Sequence, residues 1–139
     1  MIEVEKPLFI VRTTVTGGIS LKEMREEIPN LIILVDEKHD AMQNFLRAMT
    51  YSDKPCVHLE DDIILCDNFY EKITEIIKMN RCDVIQFFSM RKEDLTKGTR
   101  YIAGSRFMMN QCFYLPAGMG KEIAEFWKTS PRQQEDGAP

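Results

Sequence analysis

Three apolar runs, each closing on polar or acidic residues, constrain this chain most. Pro7-Leu8-Phe9-Ile10-Val11 leads into Arg12-Thr13-Thr14, Leu31-Ile32-Ile33-Leu34-Val35 into Asp36, and Cys56-Val57-His58-Leu59 into Glu60-Asp61-Asp62. Continuous apolar runs of this length, bounded by turn residues, read as buried strands. Helical periodicity fills the intervals. Ser20-Leu21-Lys22-Glu23 is a capping box opening a helix with Leu21, Met24 and Ile28 on one face, and Met42, Phe45, Leu46 and Met49 recur after Asp40. Asp67 is placed to cap a third helix, which buries Phe69, Ile73, Ile76 and Ile77. A fourth strand is expected over 83–88, another over 107–115, and a last helix after Pro116-Ala117-Gly118 with Met119, Ile123, Phe126 and Trp127 on one side.

This alternation predicts an α/β fold, a three-layer αβα sandwich on a mostly parallel sheet. The expected domain covers residues 1–129, with an irregular tail over 130–139. The polar ends of the first three strands should gather at one edge, bringing Thr13, Asp36 and Asp61 together where open α/β sheets bind ligands. Residues 90–106 are polar and basic and read as a long loop. Neither G-x-G-x-x-G nor G-x-x-x-x-G-K-[ST] occurs, which disfavours a dinucleotide-binding domain and a P-loop enzyme.

Composition narrows the classes further. The 139 residues carry a net charge of −4, so no global basic field draws in nucleic acid. The apolar runs fall short of the roughly 20 residues of a membrane helix, and the first residues lack a signal-peptide layout. Cys56, Cys66, Cys82 and Cys112 form no C-x-x-C pair, and their mostly apolar surroundings suggest buried thiols in a reducing cytoplasm. The methionines read as core filling. His58 reads as a packed or supporting histidine and His39 as a surface residue.

The chemistry concentrates in Glu60-Asp61-Asp62. Three adjacent carboxylates at the end of a buried strand repel one another and lose hydration, so they call for a cation or a helix N-terminus. The alternative is a solvated turn that caps the next helix. Asp36 likewise reads either as a turn cap or as a ligand contact.

The stretch His58-Leu59-Glu60-Asp61-Asp62-Ile63-Ile64, followed by Leu65-Cys66-Asp67-Asn68-Phe69-Tyr70 and an amphipathic helix, resembles the DxD region of GT-A-fold glycosyltransferases. It is most similar to the bacterial and phage enzymes with an LEDD strand, such as the lipooligosaccharide-type transferases. In element order the resemblance covers residues 7–128, and it is specific over 57–70. It implies a GT-A-like domain that binds a nucleotide-sugar, with UDP as the expected nucleotide, and holds Mn²⁺ or Mg²⁺ against the diphosphate. By that resemblance Asp62 is the direct metal ligand and Glu60 the first acid of the motif, also near the metal. Glu60 and Asp61 would orient the ribose or a metal-bound water. Arg12, Thr13 and Thr14 would line the nucleotide pocket, Asp36 would contact base or ribose, and residues 104–116 would lie on the acceptor side.

Two features depart from the family pattern. The first acid is Glu rather than Asp, and the chain is short, ending without the family's further acidic motif and C-terminal His or loop. Arg100 or Arg106 is a candidate phosphate contact, and Asp136 or Glu135 a candidate base by position. The expected acceptor is a glycan, a lipid-linked sugar, a protein or modified DNA. A metal-dependent nuclease or phosphohydrolase using the same acids is a rival, as is a non-catalytic nucleotide-sugar-binding or interaction domain.

Overall fold

The apolar runs form the strands of one open sheet. A computed structural model of the chain describes residues 6–14, 19–87 and 111–129. In chain order these comprise β1 (Leu8–Thr13), α1 (Ile19–Glu27), β2 (Ile32–Val35), α2 (Ala41–Met49), β3 (Cys56–Glu60), α3 (Phe69–Met79), β4 (Ile85–Gln86), β5 (Cys112–Leu115) and α4 (Met119–Thr129). The five strands lie in the order β2-β1-β3-β5-β4. β1 pairs in parallel with β2 and β3, whereas β5 runs antiparallel to both β3 and β4. The fold is α/β as expected, and the sheet is mixed, with β1, β2, β3 and β4 running one way and β5 against them.

Strand alternation builds two cores. Phe9, Val11, Val57, Leu59, Cys112 and Tyr114 meet Leu21, Met24 and Ile28 of α1 and Phe69, Ile73 and Ile77 of α3. On the other face Ile10, Cys56, Phe113 and Leu115 meet Ala48 and Met49 of α2 and Ala124 of α4. Helices therefore cover both faces, and each core has its own helix pair.

Local chemistry sets the element ends. Asp40 caps α2, its carboxylate accepting the Gln43 N–H at 3.1 Å. α1 begins at Ile19, so Ser20 falls inside the first turn rather than at the cap. At α3 the cap residue is Asn68, not Asp67. Asn68 adopts a left-handed conformation (φ 58°) and makes no side-chain cap bond. The first turn is satisfied instead from α1, where Glu27 Oε1 accepts the Tyr70 N–H at 3.0 Å. Gly118, at φ +80°, turns the chain into α4 and donates its N–H to the Asp53 carbonyl. α4 packs so closely on α2 that a Cβ at Gly120 would run into the Met49 carbonyl oxygen.

Several expected positions differ. Of the strand expected over 83–88, Ile85–Gln86 is strand among the described residues and Phe88 lies outside them, and of the one expected over 107–115 the described strand is Cys112–Leu115. Met42, Ile76 and Phe126 are exposed, because the sheet covers a narrower stripe of each helix than their apolar spacing suggests. Cys66 and Cys82 are exposed too, while Cys56 and Cys112 are buried. Burial pushes the Cys56 thiol up to about 11 and the Cys112 thiol up to about 12. Among the described residues no helix is long and apolar enough to cross a membrane.

Candidate functional site

The strand order reverses at β1, with β2 on one side and β3 on the other. Such a switch point leaves a crevice beyond the carboxyl ends of the strands. There the ends of β1 and β3 meet residue by residue, since the register sets Arg12 opposite Glu60. One step further, the Thr13 hydroxyl donates to Asp61 Oδ2 at 2.6 Å. Successive strand side chains point to opposite faces, so these two pairs diverge. Arg12 and Glu60 lie on the face covered by α2 and α4, and Thr13 and Asp61 on the face covered by α1 and α3.

The Arg12 guanidinium lies 5.1 Å from the Phe45 ring centroid, and its Nη2 is 3.7 Å from Glu60 Oε1. The two side chains are 15% and 37% exposed, so Arg12 is the desolvated partner. A separation of 3.7 Å is an ion pair but too long for a hydrogen bond. Arg12 Nε and Nη2 are buried without a hydrogen-bond partner among the described residues. Those two nitrogens form the side-on fork that matches a carboxylate or phosphate bidentately. Burial lowers the Arg12 pKa from its ordinary value, and the Glu60 charge opposes that shift.

Thr13 is buried, at 3% exposure, and its carbonyl accepts the Asp36 N–H at 2.7 Å. Asp36 is buried as well, and its Oδ1 accepts the Asp40 N–H at 2.8 Å, closing the turn into α2. One carboxylate oxygen of Asp36 therefore serves the turn. The sequence expectation of a shared edge holds: Thr13 is bonded to both Asp36 and Asp61.

Asp62 differs from its neighbours. It is exposed and makes no hydrogen bond or ion pair among the described residues. After it, Ile63 and Leu65 pack on the α1/α3 core while Ile64 is 91% exposed. Thr14 is likewise exposed at the end of β1. His58 sits beneath this edge at 1% exposure, its ring stacked on Phe113 with centroids 5.1 Å apart. Burial, aided by the Arg12 charge, pulls its pKa down to about 3, and its Nδ1 has no hydrogen-bond partner among the described residues. It is a neutral, packed histidine.

Among the described residues no three His, Cys, Asp or Glu side chains converge to hold a metal ion. The triplet offers hard carboxylate oxygens of the kind Mg²⁺ and Mn²⁺ take, and such ions use one or two protein carboxylates beside substrate phosphates. Asp62 is open to that role, whereas Glu60 faces Arg12 and Asp61 faces Thr13.

Asp136, Glu135, Arg100 and Arg106 lie outside the described residues, as does most of 104–116. The described end of that segment touches the site, because the Gln111 carbonyl accepts the Glu60 N–H at 3.0 Å. Phe45, read from sequence only as part of a helix face, supports Arg12. A groove of about 460 Å³ between α2 and α4, lined by Gln43, Leu46, Arg47, Thr50, Trp127 and Lys128, includes none of the strand-end residues. Comparison with protein-family models, curated proteins and solved structures returned no match.

Proposed function

We propose that this chain is a metal-dependent glycosyltransferase that draws its sugar from a UDP-type nucleotide-sugar. The observation that carries the reading is the exposed Asp62 at the end of β3, which has no partner among the described residues and lies beside the switch point between β1 and β3. The resemblance of His58–Tyr70 to an LEDD region adds the reaction class. Asp62, with Glu60 alongside, would hold Mn²⁺ or Mg²⁺. When bound, the cation neutralises the charge that grows on the diphosphate leaving group.

The chain's own residues supply the remaining functions. The Arg12 fork, buried beside Glu60 with two N–H groups that lack a hydrogen-bond partner among the described residues, would offer positive charge to an anion at this edge. Phe45 beneath it keeps water from one side of the guanidinium. Thr14 and Asp36 end the neighbouring strands, where the ribose or base of a nucleotide would rest. The acceptor, a glycan, a lipid-linked sugar or modified DNA, would approach from the Gln111 side. Asp136 is the candidate base by position in the sequence.

A nucleotide-sugar-binding domain without turnover is the second reading. It is favoured by the ion pair of Glu60 with Arg12, which engages one acid of the triplet. A metal-dependent nuclease has less support. It would draw on acids from further strand ends, and Asp36, the acid that β2 adds, has Oδ1 tied to the Asp40 N–H.

Thermal unfolding with UDP, GDP and CDP, each with and without Mn²⁺, separates these readings. The transferase and binding-domain readings predict stabilisation by UDP that requires Mn²⁺, about 2.7 kcal/mol at a hundredfold excess over Kd. Release of UDP from a UDP-sugar then distinguishes the two. Absence of any nucleotide effect would remove the donor site, and Mn²⁺-dependent cleavage of DNA would favour the nuclease.

A further inference from the structure

We infer that Thr13 is a positioning residue that sets the Asp61 carboxylate for ligand without touching ligand itself. The inference rests on the transferase reading of this edge and identifies the residue that orders it. Thr13 is 3% exposed, so no nucleotide or cation reaches it directly. Its hydroxyl donates to Asp61 Oδ2 at 2.6 Å, the short separation of a charge-assisted O–H···O⁻ bond.

Geometry explains why such a tether is needed. Asp61 follows the last residue of β3 and lies in a turn, with Glu60 on one side and Asp62 on the other. Like charges on both neighbours, and a position past the end of the strand, leave a carboxylate free to change rotamer. A bond to one oxygen fixes the rotamer and with it the direction of Oδ1. Thr13 also holds Asp36 through its carbonyl, so one buried residue joins the carboxyl ends of β1, β2 and β3. Asp61 Oδ1 would then face a metal-bound water or the ribose, and outer-shell contacts of this kind are typically worth 10–100-fold in metal affinity.

The test compares wild type with Thr13→Val, which removes the hydroxyl at nearly constant volume, and with Thr13→Ser, which keeps it. One arm measures the Asp61 χ1 rotamer by side-chain NMR couplings in the free protein. The other measures UDP affinity in Mn²⁺ by calorimetry. The inference predicts one Asp61 rotamer in wild type and Thr13→Ser, averaging in Thr13→Val, and a 10–100-fold weaker Mn²⁺-dependent UDP affinity that Thr13→Ser restores. An unchanged rotamer or unchanged affinity in Thr13→Val overturns it. A wild type that binds no UDP in Mn²⁺ overturns the underlying transferase reading instead, and the rotamer arm still decides whether Thr13 orients Asp61.

Discussion

Arg12 and Glu60 face each other across β1 and β3 as register partners, with Nη2 3.7 Å from Oε1 and the guanidinium resting over Phe45. The relationship is asymmetric, because Arg12 is mostly withdrawn from water while Glu60 is partly solvated. Removing the carboxylate strands a desolvated cation, which costs more than the pair itself contributes. Glu60→Gln should therefore lower stability by about 1–2 kcal/mol in urea unfolding, below the full buried-pair figure because water screens Glu60. Pairing it with Arg12→Met should recover most of that loss. Equal stability of Glu60→Gln and wild type would show that the pair does not form in solution.

His58 predicts a pH dependence. Its folded pKa is depressed to about 3, so below about pH 6.5 the unfolded chain takes up a proton that the folded chain refuses. The stability contributed by neutral His58 is fully present above the unfolded pKa and is lost as pH falls towards the folded value. The slope attributable to this residue approaches about 1.4 kcal/mol per pH unit inside that window. His58→Phe should flatten the decline in unfolding free energy between about pH 4 and pH 6. An identical slope in the variant would mean that the histidine gains a proton without penalty.

Glu27 predicts a coupling between helices. Its carboxylate accepts the Tyr70 N–H, joining the end of α1 to the first turn of α3 beside the acidic turn. Glu27→Ala should cost about 1 kcal/mol, the usual value of an N-terminal cap, and should raise amide exchange in the first turn of α3. Unchanged exchange at Tyr70 would argue against the cap.

The three strand-end runs were readable because a strand buried on both faces needs a continuous apolar stretch, and Leu8–Thr13, Ile32–Val35 and Cys56–Glu60 have one. The reversed direction of β5 was not readable, since side-chain alternation is the same in parallel and antiparallel strands. Ile76 and Phe126 misled because helical spacing marks apolar residues without showing how wide a stripe the sheet covers. At the site, the acids and their shared edge with Thr13 and Asp36 followed from strand ends alone. Their division between Arg12 and Thr13 did not, because it depends on β1–β3 register, as does the placing of Phe45 under Arg12.

Gly120 tests the packing of α4 on α2. A methyl group there meets the Met49 carbonyl oxygen, which is backbone and cannot swing away. Gly120→Ala should destabilise by about 1–3 kcal/mol despite the better helix propensity of alanine. A stabilised variant would show that the two helices sit further apart.

In the proposed function Asp62 holds the cation through which a nucleotide diphosphate binds at the end of β3. Titration of UDP into wild type and Asp62→Asn, each with and without Mn²⁺, measures that role. Wild-type binding should depend on Mn²⁺, and Asp62→Asn should lose that dependence with the fold intact. Mn²⁺-dependent UDP binding of equal strength in Asp62→Asn, or no such binding by wild type, would contradict it.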